Sequence, residues 1–324
     1  MMDLIKDIYY SDDYISLYIK ENEELFSFEY KEDNNIFINK TIKRPILNIG
    51  DIQINDGSYD LETAYGYGGF YTNSDDEEFL DRAMKEYEQK CKDENIVAEF
   101  IRFHPFNEIP IKYGEHLDFN IYDRDVVVKE LTDNMLGSYT SKVRNAVKRA
   151  SEKVEIKKSE NLDAFMKLYA ETMKKNEASE FYFFKKEYYI QLLLNKNIEL
   201  YEVLSEDKII AMGFFMFGEK VAHYHLSANS DLSYKLNSNY ALLNAIFCRA
   251  KELGLDYFML GGGASPKEDD PLLKFKQKFS KEIRPFYISG KIYNQELYDK
   301  YNNIWKEQSK EDIKYFLKYR LEIK

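Results

Sequence analysis

The sequence predicts an α+β fold in which mixed sheets are flanked by helices. Three observations carry that expectation. Apolar segments Ile198–Leu204, Lys208–Phe217 and Lys220–Leu226 form a strand meander, with turns at Glu206-Asp207 and Gly218-Glu219. A short apolar strand, Tyr257–Leu260, runs into Gly261-Gly262-Gly263 and then a helix signal. Around these lie segments whose apolar residues recur with helical spacing.

Strands and helices mix from the start of the chain to about Asn120. Tyr65-Gly66-Tyr67-Gly68-Gly69-Phe70-Tyr71 is a glycine-rich turn. Ser74 with Glu77 reads as a capping box, and Leu80, Met84, Tyr87 and Cys91 give the following helix its apolar stripe to about Lys92. Ile96–Phe103 reads as a strand closed by His104-Pro105.

Thr140–Lys153 is a basic helix, followed by a short strand at Val154–Ile156. Helices are expected over Leu162–Lys175 and Phe184–Leu194, ahead of the meander. The loop Ser227–Asn239 leads to a helix striped by Leu242, Ile246, Arg249 or Ala250, and Leu253 and stopped by Gly254. After the triple glycine, Asp270 reads as an N-cap with Pro271 at the first helical position. Ile283–Ile288 is a last strand, and two charged helices finish the chain. The order glycine turn, helix, strand at Tyr65–Phe103 echoes the loop, helix, strand at Ser227–Leu260, with negligible identity.

The 324 residues suffice for one large domain or two ordinary ones. With 44% hydrophobic and 32% charged residues, a soluble globular protein is expected. A net charge of -11 argues against a protein whose main task is coating nucleic acid. Lys142–Lys158 reverses that sign locally: Lys142, Arg144, Lys148, Arg149, Lys153, Lys157 and Lys158 face only Glu152 and Glu155. Cys91 and Cys248 do not make a disulfide framework or zinc site. No apolar run is long enough to span a bilayer and no signal peptide is recognisable, so a cytoplasmic location is expected.

Taken in order, several short stretches resemble the FemABX-type transferases, a branch of the Gcn5-related N-acyltransferase (GNAT) fold. They are Tyr65-Gly66-Tyr67-Gly68-Gly69, Arg102-Phe103-His104-Pro105, Arg144–Ala150, Tyr169–Lys175, His223–Ser227, Asn239, Leu260–Gly263 and Phe275–Phe279. The resemblance implies two tandem acyl-CoA N-acyltransferase-like domains, each a mixed central sheet flanked by helices. We place them at 1–139, short for a full domain, and at 140–324, including the C-terminal helices. It also implies transfer of an acyl group, often an amino acid from an aminoacyl-tRNA, onto an amine of a peptidoglycan precursor. In relatives acting on surface sugars the donor is acyl-CoA. No permanently bound cofactor is implied. The acceptor would be a small or lipid-linked precursor, reached by peripheral membrane contact at most.

Two departures bear on the donor. Lys175 stands where the family often has Arg, and binds phosphate as a point charge rather than bidentately. Lys235-Leu236-Asn237-Ser238-Asn239 lacks the glycines that usually seat the CoA pyrophosphate at a helix N-terminus.

Acyl transfer to an amine requires deprotonation, oxyanion stabilisation and positioning. Lys276 shares a helical face with Leu272, Phe275 and Phe279, so it either lines a pocket as the charge stabiliser or snorkels past a rim. Gly261, Gly262 and Gly263 either donate backbone N–H groups or form a turn. Asp270 either accepts a proton or caps the helix. Candidate substrate-binding residues are Tyr65, Tyr67, Gly68, Gly69, Arg102, Lys175, His225, Asn239 and Phe275. His223 and His225, two apart on a strand, lack a third ligand spaced for a metal, and no metal site is expected.

Overall fold

The computed structural model describes residues 3–177, 183–311 and 313–323. Its strands, numbered in chain order, are β1 (Glu24–Glu32), β2 (Asn35–Pro45), β3 (Asn48–Ile49), β4 (Ile52–Gln53), β5 (Tyr59–Glu62), β6 (Tyr71–Thr72), β7 (Ile96–Arg102), β8 (Phe119–Glu130), β9 (Glu155–Ser159), β10 (Ile198–Ser205), β11 (Lys208–Phe217), β12 (Val221–Asn229), β13 (Tyr257–Gly261) and β14 (Ile283–Ile292). The helices are α1 (Asp12–Ser16), α2 (Glu77–Asp93), α3 (Ile109–Lys112), α4 (Ser141–Ser151), α5 (Leu162–Lys175), α6 (Lys186–Leu194), α7 (Asp231–Leu236), α8 (Ser238–Glu252), α9 (Pro271–Lys276) and α10 (Gln295–Ser309). Among the described residues, no helix is long and apolar enough to cross a membrane.

The chain divides into two compact units. The first comprises Met1–Ile5, Tyr9–Asp123 and Pro285–Lys324; the second comprises Lys6–Ile8 and Arg124–Arg284. The division expected between residues 139 and 140 therefore moves to Asp123/Arg124. The chain also returns to the first unit at Pro285, so α10 belongs there and not with the second half. The crossings fall within strands: β8 leads out of the first unit and β14 leads back.

In the first unit the strand order is β1-β2-β5-β7-β14, with β6 on β2. β5 and β7 run parallel, joined by α2, whose Phe79, Leu80, Ala83, Met84, Tyr87 and Cys91 are buried. The residue capping α2 is Asp76, which accepts from Glu78 N, and not the expected Ser74. Ser74 instead accepts from Asp76 N and fixes the cap itself. A second core cluster surrounds Trp305 and Tyr301 of α10.

In the second unit the order is β8-β13-β12-β11-β10-β9. β12 and β13 run parallel, joined by α8. The step from strand through helix to parallel neighbour thus occurs once in each unit, which is the echo expected from element order. Thr140 caps α4, accepting from Val143 N, and Val143, Val147 and Ala150 are its buried face. The expected loop after residue 227 is partly ordered: β12 continues to Asn229 and α7 follows. The expected helix over Phe184–Leu194 begins at Lys186, and the short strand after α4 runs Glu155–Ser159.

Candidate functional site

The candidate site in the second unit begins where two parallel strands part. β12 pairs with β13 only at Val221↔Tyr257, Ala222↔Phe258 and His223↔Met259. Beyond that, β13 pairs on its other side with β8, as far as Gly261↔Val127. Along β12 the register against β11 slips: Tyr224 faces Phe215 and Leu226 faces Phe214, leaving His225 as the extra residue of a bulge. Bulges re-aim side chains, and crevices outside the carboxyl ends of parallel strands are where such sheets bind ligands.

The glycine turn lies at the carboxyl end of β13. Gly261 has φ +81, and a Cβ there would sit 3.2 Å from Lys276 Nζ. A Cβ on Gly262 would meet Arg124 Cδ at 2.8 Å and the Asp125 carbonyl at 3.0 Å. On Gly263 it would meet Asp270 Oδ1 at 2.6 Å. All three glycines are thus needed for close approach, each to a different neighbour. The turn also presents carbonyls to cations. Lys276 Nζ donates to Gly262 O at 2.7 Å and Arg124 donates to Gly263 O at 3.1 Å.

Lys276 is 8% exposed. Burial pushes its ammonium down to about 7; the Asp270 carboxylate opposes that shift and the Arg124 guanidinium adds to it. A lysine poised there can serve either as a cation or as a proton acceptor near neutral pH.

Asp270 is the N-cap of α9. Its Oδ1 accepts from Leu272 N (2.9 Å) and Leu273 N (3.0 Å), and its Oδ2 from Ser265 N and Oγ (both 3.0 Å). Burial would raise its carboxyl, but donation from Leu273, Ser265 and Ala264 prevails and holds it below its ordinary range. The capping reading is therefore the one the geometry expresses. Asp270 joins the turn to the helix and favours the charged form of Lys276, while its own affinity for a proton is lowered.

The other expected residues of this unit take separate neighbours. His225 Nε2 lies 2.7 Å from Tyr188 OH, and burial, with the nearby His223, pushes its imidazole down to about 3, so it is neutral. His223 Nε2 lies 2.8 Å from Asp7 Oδ2, both side chains buried. Asn239, in the first turn of α8, buries its Oδ1 without a hydrogen-bond partner among the described residues. Phe275 packs edge-on against Tyr240 and Phe279. Lys175 is exposed and ion-paired to Asp231, with its ammonium 5.2 Å from the Tyr234 ring centroid.

The remaining candidates lie in the first unit. Tyr65 stacks on Tyr18, and its carbonyl accepts from Tyr14 OH. Tyr67 sits edge-on to Tyr9 and Phe286. The Gly68 carbonyl accepts from Tyr10 OH, and a Cβ on Gly69 (φ +84) would strike Ile101 and Phe103 at 2.7 Å. Arg102 bonds Glu62 and the Thr63 carbonyl. These contacts make the turn an aromatic packing element, with Arg102 holding β7 to β5.

Sequence reasoning missed Arg124, Tyr188 and Asn237. Asn237 precedes α8 with φ 56, the left-handed conformation that a glycine would otherwise provide. The absence of glycine from Lys235–Asn239 therefore does not mean that the turn is absent. Asn is the non-glycine residue most at ease there, which was the available signal.

The acetyltransferase (GNAT) domain family model matches residues 137–276, inside the second unit. No curated protein matches the sequence. Among solved structures the chain is similar to FemX, with TM-score 0.69 and 13% identity over 92% of this chain and 94% of that one. It is similar to L-PGS from Bacillus licheniformis, with TM-score 0.53 and 14% identity over 85% of each chain. It is also similar to the C-terminal domain of a putative lysylphosphatidylglycerol synthetase from Agrobacterium fabrum, with TM-score 0.51 and 14% identity over 88% and 87%. At these identities the likeness is one of fold. The chain has the fold of FemX, and within its second unit residues 137–276 match the GNAT domain.

Proposed function

We propose that the protein is an N-acyltransferase that moves an aminoacyl group onto an amine of a peptidoglycan precursor. The observation that carries this reading is Lys276: a buried cation held on the glycine-turn carbonyl at the end of β13, where β12 departs. In the reaction the amine nitrogen bonds to the acyl carbon and the carbonyl electrons move to oxygen. Collapse expels the ribose oxygen of an aminoacyl-tRNA, or the sulfur of acyl-CoA, and the proton that the amine loses ends on that departing atom. A preorganised ammonium in a dry site stabilises the intermediate oxyanion without reorganising. Asp270 supports that role by favouring the charged form of Lys276.

A second reading keeps the reaction and changes the donor to acyl-CoA, with an amino sugar or nucleotide-sugar as acceptor. Asn237 favours it, since its left-handed backbone supplies a turn before α8 despite the missing glycines. A third, non-catalytic reading, in which the protein only binds a carbohydrate or partner, makes Lys276 dispensable.

The test incubates the protein with UDP-activated muramyl-pentapeptide or a UDP-amino sugar, and with aminoacyl-tRNA or acetyl-CoA. N-acylated product is read by mass spectrometry. Lys276→Met is expected to lower turnover by roughly 100-fold or more. No product from any combination, or an unchanged rate in the variant, would sink the catalytic assignment.

A further inference from the structure

We propose that the outward face of α4 is an electrostatic docking surface for an anionic lipid bilayer. Lys142, Lys148, Arg149 and Lys153 are all exposed, on or just past this helix and outside the face that buries Val143, Val147 and Ala150. None of the four has an ion pair among the described residues. The rest of the basic segment behaves differently: Lys157 pairs with Glu202 and Lys158 with Glu199. The run read from the sequence is thus two things, a neutralised strand and an unneutralised helix.

The arrangement is internally unfavourable. Arg144 and Lys148, and Arg149 and Lys153, are like charges four residues apart, which weakens a helix. At 100° per residue, Lys142, Arg149 and Lys153 fall within about 40° of one another around the axis. The helix dipole favours cations in the last turn, but it disfavours Lys142 in the first. A chain with 57 acidic and 46 basic residues has ample carboxylates to pair them. Elsewhere some cations are paired, as in Arg44 with Asp60 and Arg82 with Glu32. Others, such as Lys85 and Lys274, have no ion pair among the described residues; what sets α4 apart is that its unpaired cations are gathered on one helix. An external anion is what this stripe complements.

A bilayer fits better than a nucleic acid. Lys142, Arg149 and Lys153 lie on one side of the helix and the turn that continues it, so they present a compact cluster of positive charge. Three of the four are lysines, which act as point charges toward diffuse headgroups rather than as forks that grip single phosphates. The same face carries Asn145, Ser151 and Glu152 but no aromatic ring on which a base would stack.

The experiment is cosedimentation of the full chain with phosphatidylcholine vesicles, and with vesicles that are roughly one-third phosphatidylglycerol. The expected result is binding to the anionic vesicles alone, abolished by high salt. Lys142→Gln/Arg149→Gln/Lys153→Gln should weaken it on the order of 100-fold, with the thermal midpoint unchanged. Lys157→Gln/Lys158→Gln should leave it as it is. Three results would each overturn the proposal: no preference for anionic vesicles, equal losses in the two variants, or a pool of tRNA that binds through these same residues and displaces the vesicles. Because the readout is binding, it is independent of whether the protein transfers acyl groups.

Discussion

Lys276 Nζ lies 2.7 Å from the carbonyl oxygen of Gly262, and burial nevertheless brings the titration of its ammonium down to about 7. A hydrogen bond to a carbonyl favours the ammonium, but here it does not repay the lost hydration. The cation is maintained against the preference of its surroundings, as expected of a group kept for chemistry rather than stability.

Lys276→Met should therefore stabilise the fold at pH 7. Folded Lys276 titrates at about 7 and an unperturbed lysine at 10.5, so the unfolded chain binds more protons between those values. The destabilisation is full below pH 7 and is relieved as pH rises toward 10.5. Calorimetry should show a gain on the order of 4 kcal/mol at pH 7 that shrinks by pH 10. A variant less stable at pH 7 would mean that the Gly262 bond outweighs burial.

The pH profile separates the two roles open to Lys276. If the ammonium stabilises the oxyanion, the Lys276-dependent limb of kcat falls as pH rises through about 7. Lys276→Arg, always charged, should retain measurable turnover and lose that limb. A limb that rises instead would identify the neutral amine as the proton acceptor.

Asp270→Ala and Asp270→Asn should differ. Alanine removes the acceptors for Leu272, Leu273 and Ser265, and should cost about 1–2 kcal/mol on thermal unfolding. Asparagine keeps the Oδ1 cap but removes the charge that supports the Lys276 cation. It should be milder in stability and should move the Lys276 limb to lower pH.

Glu99 offers a prediction remote from the site. Fully buried on β7, it accepts from Tyr87, Tyr293 and Asn39, and Cys91 is the other titratable group beside it. Burial pushes its carboxyl up despite those three donors. The folded state thus stays protonated where the unfolded state ionises, so stability falls as pH rises above about 4. Glu99→Gln should flatten that fall. A wild type and variant with parallel pH dependence would show that Glu99 ionises normally.

Much of the fold was legible because local signals and tertiary packing agree. The meander, the stripe of α2, the Thr140 start of α4 and the Asp270-Pro271 entry to α9 follow from periodicity and capping. The Ser74 cap failed because two residues with acceptor side chains, Ser74 and Asp76, stand two apart, and the chain uses them in series. The unit boundary failed because β8 was not read as a strand and β14 read as an ordinary last strand, and nothing local marks where a strand changes partners. In the site, Lys276 and the three glycines were visible as residue types. Arg124 was not, since it approaches the turn from 139 positions away in sequence, and its contact exists only in the folded chain.

The first unit is assembled from both ends of the chain, with residues 285–324 completing what residues 9–123 begin. Synthesis runs in one direction. The second unit has all its strands once Arg284 has left the ribosome, while β7 still waits for β14 and the cluster around Ile46, Ile49 and Val97 waits for Trp305. The part made first is therefore the part finished last, and until then a nascent chain exposes the edge of β7.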